Sequence, residues 1–456
     1  MKAGADMPHR MHIFDSHAAD VVLGYVRERL EMPEAPLDFP GADAELRTAL
    51  TGLINDEGTN VDEVLRRYDE VLSRAVISAD SPRYLAFIPA APSKAALLFD
   101  TVVSCASLQG ISWLEAAGAI AAENQVLRWL ADLAGMPTGA GGVFVQGGSA
   151  GNLSALAVAR DEGRRRLGNS TARVRIAVSG QTHSSVHNAL HLLDVEPFEV
   201  PAVNHRLTGD ALARALEQDA HPETVIAVAA TAGTTNAGII DDLAGLSKLC
   251  RERGMWLHVD GAYGGAGLLV ESERARYEGI EQADSFIVDP HKWLFAPFDS
   301  CALIYRDPAT ARRVHSQDAS YLDVIHIEDE WNPSDYAHHL TRRARGLPLW
   351  FSLCVNGVNA YRAAVTAGVD MANRAAAEIA ATSHMELVRE PSLSIVLWRR
   401  KGWTLADYQD LQDRLLKSQT AFVTPTSWQG EAVGRFAFIH PNTTIEMVQE
   451  VIDACR

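Results

Sequence analysis

Cysteine is scarce and unpatterned. The five in 456 residues (Cys105, Cys250, Cys301, Cys354 and Cys455) form no C-x-x-C pair. Neither a disulfide framework nor a zinc ribbon is expected from them, and a reducing compartment fits. No apolar run approaches the roughly 20 residues that a membrane helix needs. The opening MKAGADMPHRMHIFDSHAADVV lacks the apolar core of a signal peptide, so a cytoplasmic location is the expectation. Positive charge is also short: Lys and Arg number 41 against 58 Asp and Glu, a formal net charge of −17. Such a chain repels nucleic-acid phosphates and anionic lipid, so nucleic acid and membrane are excluded as expected partners. The P-loop pattern G-x-x-x-x-G-K-[ST] and the dinucleotide pattern G-x-G-x-x-G are both missing, which leaves ATP and NAD without a motif. There is no internal repeat and no low-complexity segment.

What is present suits a large enzyme: 47% hydrophobic and 22% charged residues can bury a sizeable core in two or three units. Residues 1–81 read as a helical arm, with apolar residues at three- and four-residue spacing in DVVLGYVRERL and VDEVLRRYDEVLSRAV. Residues 82–350 alternate apolar runs with helical patterns: GVFVQ then NLSALAVARDEG, RIAVS then SSVHNALHLL, VIAVAATAG then DDLAGLSKLCRERG, then WLHVD and SFIVD. That alternation predicts an α/β unit with a mostly parallel sheet covered on both faces. Residues 351–456, with SIVLWRR, YQDLQDRLLKS, FVTPTSW and RFAFIHP, predict a small α+β domain.

The chemistry-bearing residues fall at the ends of predicted strands. Lys292 follows the apolar strand in SFIVDPHKWLF, where desolvation would favour the neutral amine that a Schiff base requires. Alone, such a lysine is more often a solvated loop residue. Asp260 ends the strand in MWLHVDGAYGGAG; a carboxylate there either reaches into a ligand crevice or caps the next turn. GVFVQGGSAGNLSALAVAR is a strand, a small-residue turn and a helix, so backbone N–H groups and Ser149 can hold a phosphate at the helix start, although many such turns bind nothing. His183 in QTHSSVHNALHLL stands at the same kind of junction, where an imidazole can stack on a planar ring. His187 and His191 follow it at four-residue spacing, but no carboxylate or H-E-x-x-H pattern accompanies them, and packing rather than metal is the expectation. In VIAVAATAGTTNAGIIDDL, Thr235 is placed to hydrogen-bond a ring, whereas Asp241 is as readily a helix cap.

In order along the chain, GGSAGN, THSS, TAGTT, HVDGAYGG and DPHKW resemble the group II pyridoxal 5′-phosphate (PLP) decarboxylases, the family of aromatic-L-amino-acid, glutamate and diaminobutyrate decarboxylases. SPRYLAFIPAAPS and RRARGLPLWF extend the likeness over nearly the whole chain. The resemblance implies PLP fold-type I, an aspartate aminotransferase-like fold, and a homodimer with active sites at the subunit interface, each arm wrapping the other chain. It implies Lys292 as the Schiff-base lysine, Asp260 as the partner of the pyridine nitrogen and His183 as the stacking residue. Gly148, Ser149 and His291 become phosphate contacts, and Thr235 and Asp241 cofactor-side residues. QDASYLDV is similar to the family's catalytic loop and makes Tyr321 the residue that protonates Cα. Tyr84, Phe87, Ile88 and Trp113 match positions that shape the substrate pocket, and Arg345 matches an arginine near the site, where a surface ion pair is an adequate alternative.

An apolar aromatic wall favours an aromatic amino acid over an acidic or diamino one, although aromatic residues are also mostly core. Because PLP itself supplies the electron sink, the protein selects which bond at Cα breaks. An aminotransferase, a decarboxylation-dependent aldehyde synthase and a ligand-binding protein of the same fold are the alternatives. The last sits poorly with the combination of Lys292, Asp260 and His183.

Overall fold

A computed structural model describes residues 9–317 and 330–456. The arm comprises α1 (Ser16–Glu31), α2 (Asp43–Leu50) and α3 (Val61–Arg67). Asp15 and Asn60 cap the first and third by accepting backbone N–H groups of Ala18 and Asp62. None of the three helices buries a residue, and Val22, Leu23, Leu50 and Val64 remain exposed. The apolar spacing that predicts these helices therefore meets no buried core among the described residues.

After α4 (Lys94–Cys105) and α5 (Trp113–Leu133) the chain alternates. The order is β1 (Gly141–Val145), α6 (Gly148–Arg166), β2 (Arg175–Val178), α7 (Ser184–Leu192), β3 (Glu196–Glu199), α8 (Gly209–Gln218), β4 (Val225–Thr231) and α9 (Leu243–Arg253). It continues with β5 (Trp256–Asp260), β6 (Ser285–Val288), α10 (Pro290–Trp293) and β7 (Cys301–Tyr305). Seven strands form one sheet in the order β1-β7-β6-β5-β4-β2-β3. From β6 to β3 every pairing is parallel, and β7 runs antiparallel to both of its neighbours. Two reversals restore direction, so β1 points the same way as β6. Strands β4, β6 and β7 are buried at every residue, as a sheet covered on both faces requires. Two of the seven strands escape sequence reading. CALIY is a short uniform apolar run without periodicity, and EPFE is a polar edge strand in which proline is tolerated.

The chain goes on through α11 (Pro308–His315), α12 (Leu347–Asn356), α13 (Val358–Ala381), β8 (Met385–Leu387), β9 (Ile395–Arg400) and α14 (Leu405–Lys417). It ends with β10 (Thr424–Trp428), β11 (Glu431–Ala437) and α15 (Ile445–Ala454), and β10-β11-β9-β8 form a second, antiparallel sheet. The divides expected at 81/82 and 350/351 do not coincide with the packing. Helix α12 straddles residue 350 and lies against α4 and α5. Leu85 donates its N–H to Phe422 and accepts from Ala437, both at 2.9 Å. It shares a core with Trp398, Tyr408 and Phe436, so the stretch just after residue 82 is built into the smaller unit.

Candidate active site

The carboxyl ends of β1, β2, β4, β5 and β6 open into one crevice of about 420 Å3, the position where open α/β sheets bind ligands. Gly148, Ser149, His183, Thr235, Asp260, His291 and Lys292 all line it. These residues are far apart in sequence, and the common direction of five strands brings them together. The turns after β4 and β5 touch: Gly233 has φ +106, and a Cβ on it would lie 2.7 Å from the Gly264 Cα, so both turns depend on lacking side chains there.

Lys292 rides on α10, which is fixed by the fully buried Trp293 stacked on Tyr263 at 5.3 Å. Its Nζ lies 3.1 Å from Asp289 Oδ2. Burial pulls the amine down, but the charges of Asp289 and Asp260 outweigh it and hold Lys292 above its ordinary value. The expectation of a neutral amine is thereby corrected: the described site favours an ammonium group. Asp289, almost fully buried, also accepts the Gly148 N–H at 3.2 Å through Oδ2, while its Oδ1 meets no donor among the described residues.

Asp260 is buried at the end of β5. Its Oδ1 accepts the Ala262 N–H and its Oδ2 accepts Asn152 Nδ2, both at 3.0 Å. A carboxylate has about four acceptor directions, so two remain for a ligand in the crevice. At the start of α6, Gly147 provides no side-chain cap, which leaves helix N–H groups available to an anion. A Cβ on Gly148 would come within 3.0 Å of Asp289 Oδ2 and 3.1 Å of Ala262 Cβ. His291 is buried with Nδ1 against the Ser300 backbone, and burial lowers its pKa. His183 caps α7: its Nδ1 accepts the Ser185 N–H at 3.2 Å, and the residue is exposed at the rim. Thr235, also exposed, accepts Arg435 Nη2 at its carbonyl, 2.5 Å away.

Asp241 does not line the crevice. It is 1% exposed, and its two oxygens accept the backbone N–H groups of Leu207 and Thr231, each at 2.7 Å. Burial pushes its pKa up to about 7. It ties the loop before α8 to the end of β4, and Asp242 is the residue that caps α9. Of the pocket-shaping residues none lines the crevice of its own chain. Tyr84 packs edge-on against Phe422 at 5.0 Å, and Phe87 is 58% exposed and tilted against the same ring. Ile88 packs on the main core, and Trp113 opens α5 with its N–H donated to Asn332 Oδ1. Arg345 pairs with Asp299, which does line the crevice. Tyr321 lies outside the described residues. His187 sits 4.0 Å from Glu199, and no cluster of three metal-binding side chains occurs among the described residues.

Sequence reading missed Asp289, Asn152 and His258. Asp289 was hidden by its role as the residue before proline, which suggests a turn. The signal for His258 was present: in WLHVD, Trp256, His258 and Asp260 share one face at period two. Asn152 lies one helical turn beyond Gly148 on α6.

The donor set fits pyridoxal phosphate: an amine for its carbonyl carbon, a carboxylate with open acceptor directions for a pyridine nitrogen, and a helix start for a phosphate. Residues 44–401 match the family model described as the pyridoxal-dependent decarboxylase conserved domain. An aromatic-L-amino-acid decarboxylase of Bacillus atrophaeus is 31% identical over 89% of this chain and 87% of its own. A histidine decarboxylase of Rattus norvegicus is 28% identical over 96% and 70%. Among solved structures, Oryza sativa TDC with PLP and tryptamine superposes with a TM-score of 0.88 at 24% identity, over 96% of this chain and 97% of that one. These structural likenesses place the chain in PLP fold-type I.

Proposed function

The chain belongs to the pyridoxal-dependent decarboxylase family, a carboxy-lyase whose cofactor is pyridoxal phosphate, and from that premise we propose that its substrate is an aromatic L-amino acid, released as the amine and carbon dioxide. The observation that carries this is the crevice lining. Among the described residues Lys292 is its only cation, no arginine lines it, and Asp260, Asp289 and Asp299 do. Within one copy an acidic side chain would find no lining arginine to pair with, whereas Phe298, 58% exposed and part of the lining, offers an aromatic face. The relatives that act on aromatic amino acids and histidine support the same reading.

Pyridoxal phosphate, when bound, supplies the sink for the electron pair left at Cα as carbon dioxide departs. Lys292 provides the amine, and Asp289 Oδ2, 3.1 Å from its Nζ, holds and orients that amine in the crevice. Asp260 would pair with the pyridine nitrogen and so favour its protonated form. His183 stands at the exposed rim, and Gly148, Ser149 and His291 would hold the phosphate. By the resemblance, Tyr321, outside the described residues, would return a proton to Cα. The exposed apolar residues of the arm, and the absence of Tyr84, Phe87, Ile88 and Trp113 from the crevice of their own chain, support a homodimer whose second copy completes the substrate wall.

The test is to incubate PLP-loaded protein with tyrosine, tryptophan, DOPA, histidine, glutamate and diaminobutyrate, and to measure carbon dioxide, amine, aldehyde and peroxide. Equal amine and carbon dioxide from aromatic substrates is the expected result. Turnover confined to glutamate or diaminobutyrate overturns the substrate class, aldehyde with peroxide moves the protein to oxidative chemistry, and consumption of a keto acid without carbon dioxide makes it an aminotransferase.

A further inference from the structure

Behind Asp260 runs a continuous file of buried polar groups. Trp256 Nε1–H donates to Ser285 Oγ at 2.9 Å, Ser285 Oγ lies 2.8 Å from His258 Nδ1, His258 Nε2 lies 2.8 Å from Asn152 Oδ1, and Asn152 Nδ2 donates to Asp260 Oδ2 at 3.0 Å. His258, Asn152 and Ser285 are each 0% exposed. Such burial is tolerated only when every polar atom is matched.

The directions of these bonds follow from chemistry. An ionised Asp260 only accepts, so Asn152 must present its amide hydrogens to it and turn Oδ1 toward His258. That oxygen needs a donor, which puts the imidazole proton on Nε2. Burial holds the His258 pKa at about 4 against the pull of Asp260, so the ring is neutral and Nδ1 is an acceptor. Ser285, whose oxygen already accepts from Trp256, gives its hydroxyl hydrogen to that Nδ1. Every link donates toward Asp260. The second amide hydrogen of Asn152 goes to Ser185 Oγ at 3.0 Å, and that hydroxyl lies 2.9 Å from His183 Nδ1, which already accepts the Ser185 N–H. The branch leaves the remaining proton of a neutral His183 on Nε2.

We propose that His258 and Asn152 are positioning residues that orient Asp260 and hold it as a carboxylate, so that the strength of its bond to the pyridine nitrogen is set two residues away from the cofactor. This rests on the reading of Asp260 as the partner of that nitrogen. Neither residue need touch the reacting atoms, because both act through the carboxylate that Asn152 contacts.

The test compares the binding of pyridoxal phosphate with that of its analogue carrying C–H in place of the ring nitrogen, by equilibrium dialysis. It uses the wild-type chain, Asn152→Leu, His258→Leu and His258→Gln. The wild type is expected to prefer pyridoxal phosphate by about tenfold or more, the scale of one hydrogen bond to a charged group. Both leucine variants should lose most of that preference while binding the analogue nearly as well. His258→Gln, which keeps an N–H for Asn152, should retain it. A merely structural role would weaken both ligands equally, and an unchanged ratio in the leucine variants overturns the proposal. If the wild type shows no preference, the reading of Asp260 fails and the role of the file fails with it. Should the leucine variants not fold, Ser285→Ala removes a single hydroxyl and is expected to reduce the ratio about threefold; no reduction is again a refutation.

Discussion

The floor of the crevice and its substrate wall differ in how one chain builds them. The floor is assembled within a single copy: Lys292, Asp289 and Asp260 sit at the ends of β6 and β5 beside the start of α6, with distances of 3.0 to 3.2 Å linking them to their partners. The wall is not. Tyr84, Phe87, Ile88 and Trp113 come from segments before the sheet, and none reaches the crevice of its own chain. Groups proposed to meet an invariant cofactor are fixed to strand ends, whereas those proposed to meet the substrate are left to segments outside the sheet and, on the same proposal, to assembly.

The sharpest separation of the two regions is Lys292→Ala. It should lower carbon dioxide release by about 10^3-fold or more, in the range of losing both an activated amine and its proton transfer. Absorbance spectroscopy should show the visible band of lysine-bound cofactor abolished for every substrate alike. A variant that keeps this band and its turnover would remove Lys292 from the floor. On the wall, Phe87→Ala should reduce kcat/KM for aromatic substrates by about 10- to 100-fold, the scale of an emptied apolar contact, with cofactor affinity unchanged. Steady-state kinetics on tyrosine and glutamate check this. An equal loss for both substrates, or loss of cofactor, would erase the distinction. On the proposal that a second copy completes the wall, the Phe87→Ala defect should also worsen as the protein is diluted below its dimerisation range.

A smaller effect probes the floor from within. Asp289→Asn removes the charge nearest Lys292, so burial would be opposed by Asp260 alone among the carboxylates that hold the amine up. The pKa of Lys292 should fall. At a fixed pH near 8, labelling of Lys292 by an amine-reactive reagent in the cofactor-free protein should accelerate roughly severalfold. An unchanged rate would show that Asp289 does not govern the lysine.

Legibility followed the same divide. Lys292, Asp260 and the Gly148–Ser149 turn were readable because each stands directly after an apolar strand, where sequence and position coincide. Asp241 looked equally well placed, yet its carboxylate is spent on two backbone N–H groups, a choice made by tertiary packing that no local pattern records. β7 was unreadable for a related reason: five buried residues have no alternation, and its antiparallel pairing depends on β1 and β6 over a hundred residues apart. The neutral Lys292 expected from desolvation failed because the expectation included burial and omitted Asp289, three residues earlier. Tyr321 was named from resemblance and lies outside the described residues.

Acid should separate floor from arm by sign. The folded chain holds His258, His315 and His440 down at about 4 and His339 at about 3, in each case chiefly through burial. The unfolded chain binds protons at these sites near the ordinary value of about 6.5. Stability is therefore fully present above about pH 6.5, falls as pH drops through the window, and is lost below about 4. His17 on the arm is the reverse case: Asp62, 2.7 Å away, raises its pKa, so its small contribution is present in acid and disappears as pH rises through its folded value, and exposure keeps it slight. Hydrogen exchange at pH 5 and pH 7.5 should show protection of β5 and α6 falling in acid while that of α1 and α3 holds. His258→Gln should flatten the acid side of the β5 profile, because a glutamine there takes up no proton. If β5 and α1 lose protection together, acid acts on the whole chain at once and the floor has no weakness of its own.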